Sequence, residues 1–143
     1  MQAAVDYWFA YGNSTSSRIW YIIIDMYGGK NAAIPKVAAA ETSYAHRDKL
    51  YLYEFYDRQL FGSYPANGFN FLNGWVDSFT TNLDTTQWGM YINYADPTMD
   101  RAEAQENYWR QSLSKLQQIK ADVDPTDIFY YPQSVQPIME KGK

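Results

Sequence analysis

The sequence predicts an α+β fold: an antiparallel sheet with helices packed on one face. Two stretches, "RIWYIIID" and "LYLYEFY", have the β-branched and aromatic character of strands. Two others, residues 66–82 and 101–122, space their apolar residues as amphipathic helices do. Strands and helices are mixed without regular βαβ alternation, which favours an antiparallel over a parallel sheet.

Taken in order, residues 2–11 predict a short helix ended by Gly12 and the polar run 13–17. A first strand covers 18–25; its almost unbroken apolar character marks it as central, and Tyr27-Gly28-Gly29 ends it. "AAIPKVAAAETSYAHRDK" reads as an irregular connection. The next strand, near 50–56, alternates, with Leu50, Leu52, Glu54 and Tyr56 on one face and Tyr51, Tyr53 and Phe55 on the other. Phe69, Leu72, Val76 and Phe79 give the helix over 66–82 its apolar spacing, against the cost of two glycines. "QWGMYINY" predicts a third strand ending at Tyr94. Asp100 and Glu103 resemble a capping box at the start of a long helix, whose stripe is Tyr108, Leu113, Leu116, Ile119 and Val123. Asp124-Pro125 ends that helix, and "IFYYPQSV" follows as a short extended tail.

At 143 residues the chain is the size of one domain. Its net charge of −4 comes with scattered basic residues, which argues against nucleic acid as a partner. One His and no Cys argue against a transition-metal site and exclude disulfide and thiolate chemistry. The longest apolar run, residues 19–24, is strand-sized, so no membrane segment is expected. The first residues lack the basic and apolar regions of a signal peptide, so the N-terminus reads as that of a cytosolic chain or of one cut from something longer. Asn13-Ser14-Thr15 is a glycosylation sequon of the frequent chance kind. The unusual feature is aromatic: 18% of residues, including 14 Tyr, a composition that suits ligand-facing surfaces as well as a core of large rings.

Generic catalytic motifs are absent. Gly28-Gly29 has neither phosphate-loop pattern around it, and no Ser or Cys nucleophile is paired with a His. His46-Arg47 offers a base beside a cation, although a lone His in a connection is more often structural. Each strand carries one polar residue in an apolar setting: Asp25, Glu54 and Tyr94. A buried charge is costly unless paired. Read alone, Asp25 caps the turn into Gly28-Gly29 and Glu54 lies on a solvated face.

The order of the pieces adds a second reading. "IDMYGG", "YAHRDKLYLYEF", "YINYAD" and "LQQIKADVDPTDIFYYPQSVQP" stand in the order and spacing of the C-terminal segment of the berberine-bridge-enzyme-like FAD-linked oxidases, of the vanillyl-alcohol-oxidase fold group. Ala45 replaces the proline that precedes His-Arg in that pattern. Nearly the whole chain resembles this segment, with a lean toward the fungal oligosaccharide oxidases. The resemblance implies that residues 1–122 are a partial substrate-binding domain and 123–143 a C-terminal tail packed against a separate flavin domain. It implies that Tyr94 is the base that takes the proton from a substrate hydroxyl, oriented by Asp25. Glu54 then faces the substrate, and Tyr91 and Asn93 lie near the isoalloxazine of FAD.

The implied reaction is oxidation of an alcohol, of a sugar or a secondary metabolite, with hydride passing to the flavin and oxygen as the final acceptor. The family attaches its flavin through a His and often a Cys in the N-terminal domain. This chain has no Cys and its one His stands in the His-Arg motif. It is therefore expected to be inactive alone, and either to pair with a flavin-binding domain or to self-associate. A parent following the fungal pattern would be secreted. A truncated relative that keeps the pocket as a binding module is the alternative reading.

Overall fold

The computed structural model describes residues 1–15 and 18–138; the end of the polar run 13–17 and the last five residues of the expected tail lie outside them. The chain divides into two compact units, one formed by Met1–Tyr27 and Lys49–Trp88, the other by Gly28–Asp48 and Gly89–Lys143.

The first unit contains helix α1 (Gln2–Tyr11), strands β1 (Arg18–Met26) and β2 (Tyr51–Gln59), and helix α2 (Gly68–Thr80). The strands pair antiparallel from Arg18 opposite Gln59 to Met26 opposite Tyr51. Because side chains alternate, this register puts Trp20, Ile22, Tyr53 and Phe55 on one face. Ile19, Tyr21, Ile23, Asp25, Leu52, Glu54 and Tyr56 lie on the other, as the alternation in β2 predicts. A two-stranded sheet is marginal by itself, so the packing on its first face decides its stability.

That packing is aromatic. Trp75, 2% exposed, is surrounded by the rings of Tyr7, Trp8, Trp20, Phe55, Phe71 and Phe79, with centroids 5.1–6.4 Å away. The large α2 side chains buried in the core are Phe71 and Trp75, with half-buried Phe79 packed against Trp75, whereas Phe69, expected to face inward, is 43% exposed. Apolar spacing alone did not fix the helix phase, because this helix carries large rings on more than one side. Gly74 lets α1 close on α2: a Cβ there would meet the Tyr7 phenol at 2.2 Å, and that phenol donates to the Phe71 carbonyl at 2.8 Å. Below the core, Tyr64 donates to Asp57 at 2.7 Å, and Arg18 pairs with the same carboxylate at 2.9 Å. Burial, then the Asp57 bond, pushes the Tyr64 phenol up to about 12.

The second unit holds the irregular segment Gly28–Asp48, helices α3 (Arg101–Trp109) and α4 (Leu113–Val123), and the tail after them. Asp100 caps α3 by accepting from the Glu103 amide at 2.9 Å, as the sequence predicts. The single helix expected over 101–122 is interrupted: Arg110 has φ 46°, and a 3-10 turn Arg110–Ser112 separates the two helices. Ile119 and Val123, expected in a buried stripe, are exposed. Residues 88–94, expected to be a third strand, are not a strand; among the described residues the sheet has two strands.

The tail is held by charge. Asp124, buried at the end of α4, accepts from the amides of Ile128 and Phe129 at 2.8 and 3.0 Å and bonds the Lys120 ammonium. Lys120 also pairs with Asp127 at 3.0 Å and donates to the Phe129 carbonyl at 2.8 Å. Arg101 binds Asp127 at 2.9 Å and the Ser134 carbonyl at 2.7 Å, and lies over the Tyr130 ring. The Lys120 bonds hold both carboxylates below the ordinary Asp value, and the Asp124 bond raises the ammonium.

Two outcomes follow from this packing. Gly74→Ala gains about 1 kcal/mol of helix propensity but loses roughly 1–3 kcal/mol to the clash with the Tyr7 ring. Thermal denaturation should show it destabilising in the parent chain and stabilising in a Tyr7→Ala background; the same sign in both would refute the packing. For the tail, a lowered carboxylate contributes above its unfolded value and loses that contribution as pH falls through its folded value. A raised ammonium does the reverse at high pH. The Ile128 and Phe129 amides should therefore keep constant exchange protection between about pH 5 and pH 9, after correction for intrinsic rates, and lose it below about pH 4.

Candidate functional site

The segment that replaces the expected third strand is a strap laid on the end of α3. It runs extended to Tyr91, turns once as a 3-10 helix over Ile92–Tyr94, and leaves through an extended Ala95 into the Asp96-Pro97 turn. The Tyr94 amide closes the turn on the Tyr91 carbonyl at 2.9 Å. This geometry accounts for the amide and phenol in "YINYAD": Asn93 and Tyr94 are not core residues of a sheet but exposed residues of a turn. The Tyr94 side chain is 41% exposed.

The upstream end of the strap is fixed by one backbone carbonyl. Helix α3 stops at Trp109, so the Asn107 carbonyl belongs to the last turn, whose acceptors have no partner within the helix. It accepts from His46 Nε2 at 2.8 Å and from the Met90 amide at 3.5 Å. A carbonyl only accepts, so the imidazole carries its proton on Nε2. The ring lies against Gly89, where a Cβ would approach it to 2.1 Å; no other residue fits at that position without moving the ring. His46 is 5% exposed, which makes it the structural residue that its place in a connection suggests.

From His46 a row of rings leads to Tyr94. Tyr44 stands edge-on to His46 at 6.0 Å and to Tyr91 at 5.9 Å, and Tyr91 stands edge-on to Tyr94 at 5.4 Å. Asn93 donates to the Tyr91 hydroxyl at 2.7 Å. Arg47 covers the outer face of Tyr44 at 5.6 Å. Edge-to-face is a favoured arrangement of such rings.

The downstream end is fixed by Tyr108 and Gln133. The Asp96 amide donates to the Tyr108 hydroxyl at 3.1 Å, and that hydroxyl donates to Gln133 Oε1 at 3.2 Å. Gln133 Nε2 donates to the carbonyls of Asp96 at 2.6 Å and Met99 at 3.1 Å. Burial raises the Tyr108 phenol above its ordinary value, so it stays protonated and remains a donor.

The structure thus brings Tyr91, Asn93 and Tyr94 together in the second unit. Asp25 and Glu54 belong to the first, on the sheet face turned away from α2. Asp25 is opposite Leu52 and exposed; Glu54 is opposite Ile23 and half-buried. By contrast, Asp57 and Asp127 are carboxylates held in place by arginines. Sequence reasoning missed Tyr44, Gly89, Asn107, Tyr108 and Gln133 as parts of the site. Tyr44 and Gln133 stand inside the quoted motifs, but nothing in a linear pattern shows that they converge on one turn.

Among the described residues no group of three His, Cys, Asp or Glu side chains is placed to hold a metal, and no helix is long and apolar enough to cross a membrane. An exposed phenol beside an amide on a fixed turn fits one side of a flat, hydrogen-bonding ring system. It does not fit covalent attachment of a flavin: the chain has no Cys, and its His is buried against a carbonyl.

Comparison with known proteins agrees with this architecture. Residues 90–136, which contain the strap, α3, α4 and most of the tail, match the family "Berberine and berberine like". The chain is 56% identical to the xylooligosaccharide oxidase of Thermothelomyces thermophilus, over 96% of this chain and 28% of that protein. It is 52% identical to the carbohydrate oxidase of Microdochium nivale, over 94% and 27%. Among solved structures, the xylooligosaccharide oxidase from Myceliophthora thermophila C1 with xylobiose superposes with a TM-score of 0.89 at 55% identity, over 96% of this chain and 29% of that one. The glucooligosaccharide oxidase from Acremonium strictum, whose FAD is 6-S-cysteinyl and 8α-N1-histidyl, gives 0.89 at 44%, over 97% and 30%. The chain spans under a third of the length of these relatives. Its α+β fold is that of part of the flavin oxidase fold. Residues 90–136 are thus a berberine and berberine-like segment, and over the stretch it spans the chain is a homologue of the fungal FAD-linked oligosaccharide oxidases.

Proposed function

We propose that this chain is the substrate-side portion of an FAD-dependent oxidase that oxidises an alcohol of an oligosaccharide, with Tyr94 as the base. The observation that carries the reading is the exposed Tyr94 phenol on a turn fixed at both ends, in a chain 56% identical to a xylooligosaccharide oxidase. Tyr94 takes the proton of the sugar hydroxyl. A bound flavin would supply the acceptor for the hydride from the carbon bearing that hydroxyl, leaving a carbonyl, with oxygen as the final acceptor. Tyr91 and Asn93, joined by their own hydrogen bond, form the flavin-side wall and keep the neighbouring phenol from turning.

Ionising a phenol at neutral pH costs about 4 kcal/mol from its unperturbed value, so the base works best if the proton has somewhere to go. Asp25 is assigned as the second catalytic residue of this reading, a carboxylate able to accept and pass on a proton. Glu54, on the same sheet face, receives a sugar hydroxyl. The partner is the flavin-binding part of such an oxidase. Segment 123–143 is the tail that packs against it, with exposed Ile128, Phe129 and Tyr130 as the apolar residues to be covered.

The test is a chimera in which this chain replaces the matching stretch of the Thermothelomyces xylooligosaccharide oxidase. Tyr94→Phe should lower kcat by about 10²–10⁴ and leave KM within a few-fold, as loss of a general base does. Asp25→Asn should lower kcat less and shift the alkaline arm of its pH profile. A Tyr94→Phe chimera within threefold of the parent would sink the assignment. The isolated chain should be colourless after gel filtration, since it has no attachment residue and only one wall for a flavin; visible flavin absorbance would contradict this. It should also sediment as a self-associated species at micromolar concentration. Ile19, Tyr21 and Ile23, each 40–47% exposed, leave an apolar sheet face in water, and such faces find partners. A clean monomer would move the binding-module reading ahead.

A further inference from the structure

We infer that Gln133 is a positioning residue for the Tyr94 phenol, acting through the backbone it grips at Asp96 and Met99. The inference rests on the reading of Tyr94 as the base and adds to it a residue from the far end of the chain, 39 positions away.

Gln133 is 5% exposed and uses its whole amide. Nε2 spends its two hydrogens on the Asp96 and Met99 carbonyls, at 2.6 and 3.1 Å, and Oε1 accepts from Tyr108 at 3.2 Å. Tyr108, 2% exposed, accepts in turn from the Asp96 amide at 3.1 Å. The bonds form a closed circuit, from Asp96 N–H to Tyr108 to Gln133 and back to the Asp96 carbonyl. Both polar groups of one residue's backbone are therefore read by side chains. Satisfied buried networks of this kind rigidify what they hold, and removing one member leaves the others unpaired in a dry site.

The residue so held lies two positions beyond Tyr94, and only the extended Ala95 stands between. With the upstream end fixed by His46 and the Asn107 carbonyl, the strap has two anchors and seven residues, 90–96. Releasing the downstream anchor gives the 3-10 turn room to shift. The circuit also requires both a donor and an acceptor at one side-chain tip. Glu would set a carboxylate against two carbonyls, and Met or Leu would satisfy none of the three groups. The tail is thereby more than a cover: it carries the amide that fixes the turn, and the clasp of Asp124, Lys120, Asp127 and Arg101 holds that amide in place.

The experiment uses the same chimera with Gln133→Met and Tyr108→Phe, each alone and combined with Tyr94→Phe. Flavin absorbance and melting temperature report folding; anaerobic single-turnover reduction by xylobiose reports the chemical step. A misplacement of the base by a fraction of an ångström should make Gln133→Met about tenfold slower in that step, with KM within twofold. Tyr108→Phe, which removes one hydroxyl without changing shape, should be slower by a smaller factor. Both effects should vanish in the Tyr94→Phe background, because misplacing an absent hydroxyl has no consequence. If Gln133→Met fails to fold, Tyr108→Phe carries the test alone. Unchanged single-turnover rates, or a loss of equal factor with and without the Tyr94 hydroxyl, would overturn the inference. A fully active Tyr94→Phe chimera would instead overturn the base assignment beneath it.

Discussion

The site depends on where α3 stops. In a continuous helix the Asn107 carbonyl would accept from the amide four residues on. The break at Arg110, with its left-handed φ of 46°, frees that carbonyl. The His46 imidazole and the Met90 amide take it, and with them the strap that carries Tyr91, Asn93 and Tyr94 is tied to the helix end. The next residue, Tyr108, takes the Asp96 amide through its side-chain hydroxyl. Two neighbouring residues of one helix therefore hold both ends of the strap. A backbone conformation that an L-residue adopts reluctantly is in this sense part of the site.

The first unit is stabilised in another manner. Its sheet is too small to stand alone, and the helices that cover one face do so almost wholly with rings packed around Trp75. Part of the high tyrosine content belongs to that core; Tyr7 and Tyr53 are members of it, their phenols raised first by burial. Another part lies on surfaces, as in the stacked pair Tyr21 and Tyr56, 4.5 Å apart on the uncovered sheet face that also bears Asp25 and Glu54. The two origins of aromatic excess coexist, and composition could not separate them.

Much of the fold was legible. β1 and β2 announce themselves through β-branched and aromatic residues, and the alternation in β2 assigns both sheet faces correctly. The cap at Asp100 was legible because its signal is local. The third strand was not: "GMYINY" has strand-like composition, but its backbone groups are taken by His46-anchored Asn107 and by its own turn rather than by a neighbouring strand. The helix break at Arg110 leaves no sequence signal, since a Gly or Asn would be the expected marker of a positive φ. Candidate site residues whose identity is itself chemical, such as Tyr94, Asp25 and Glu54, could be nominated. Those that act by convergence, such as Asn107 through a backbone carbonyl and Gln133 through a buried amide, could not.

The most direct measurement is a crystal structure of this chain joined to the flavin-bearing part of its xylooligosaccharide-oxidase relative, with an oligosaccharide bound. The account predicts the Tyr94 hydroxyl within about 2.6–3.2 Å of the reacting sugar hydroxyl, on a turn still tied to the Asn107 carbonyl and to Gln133. A Tyr94 phenol directed away from the sugar, with another side chain in contact with that hydroxyl, would contradict it.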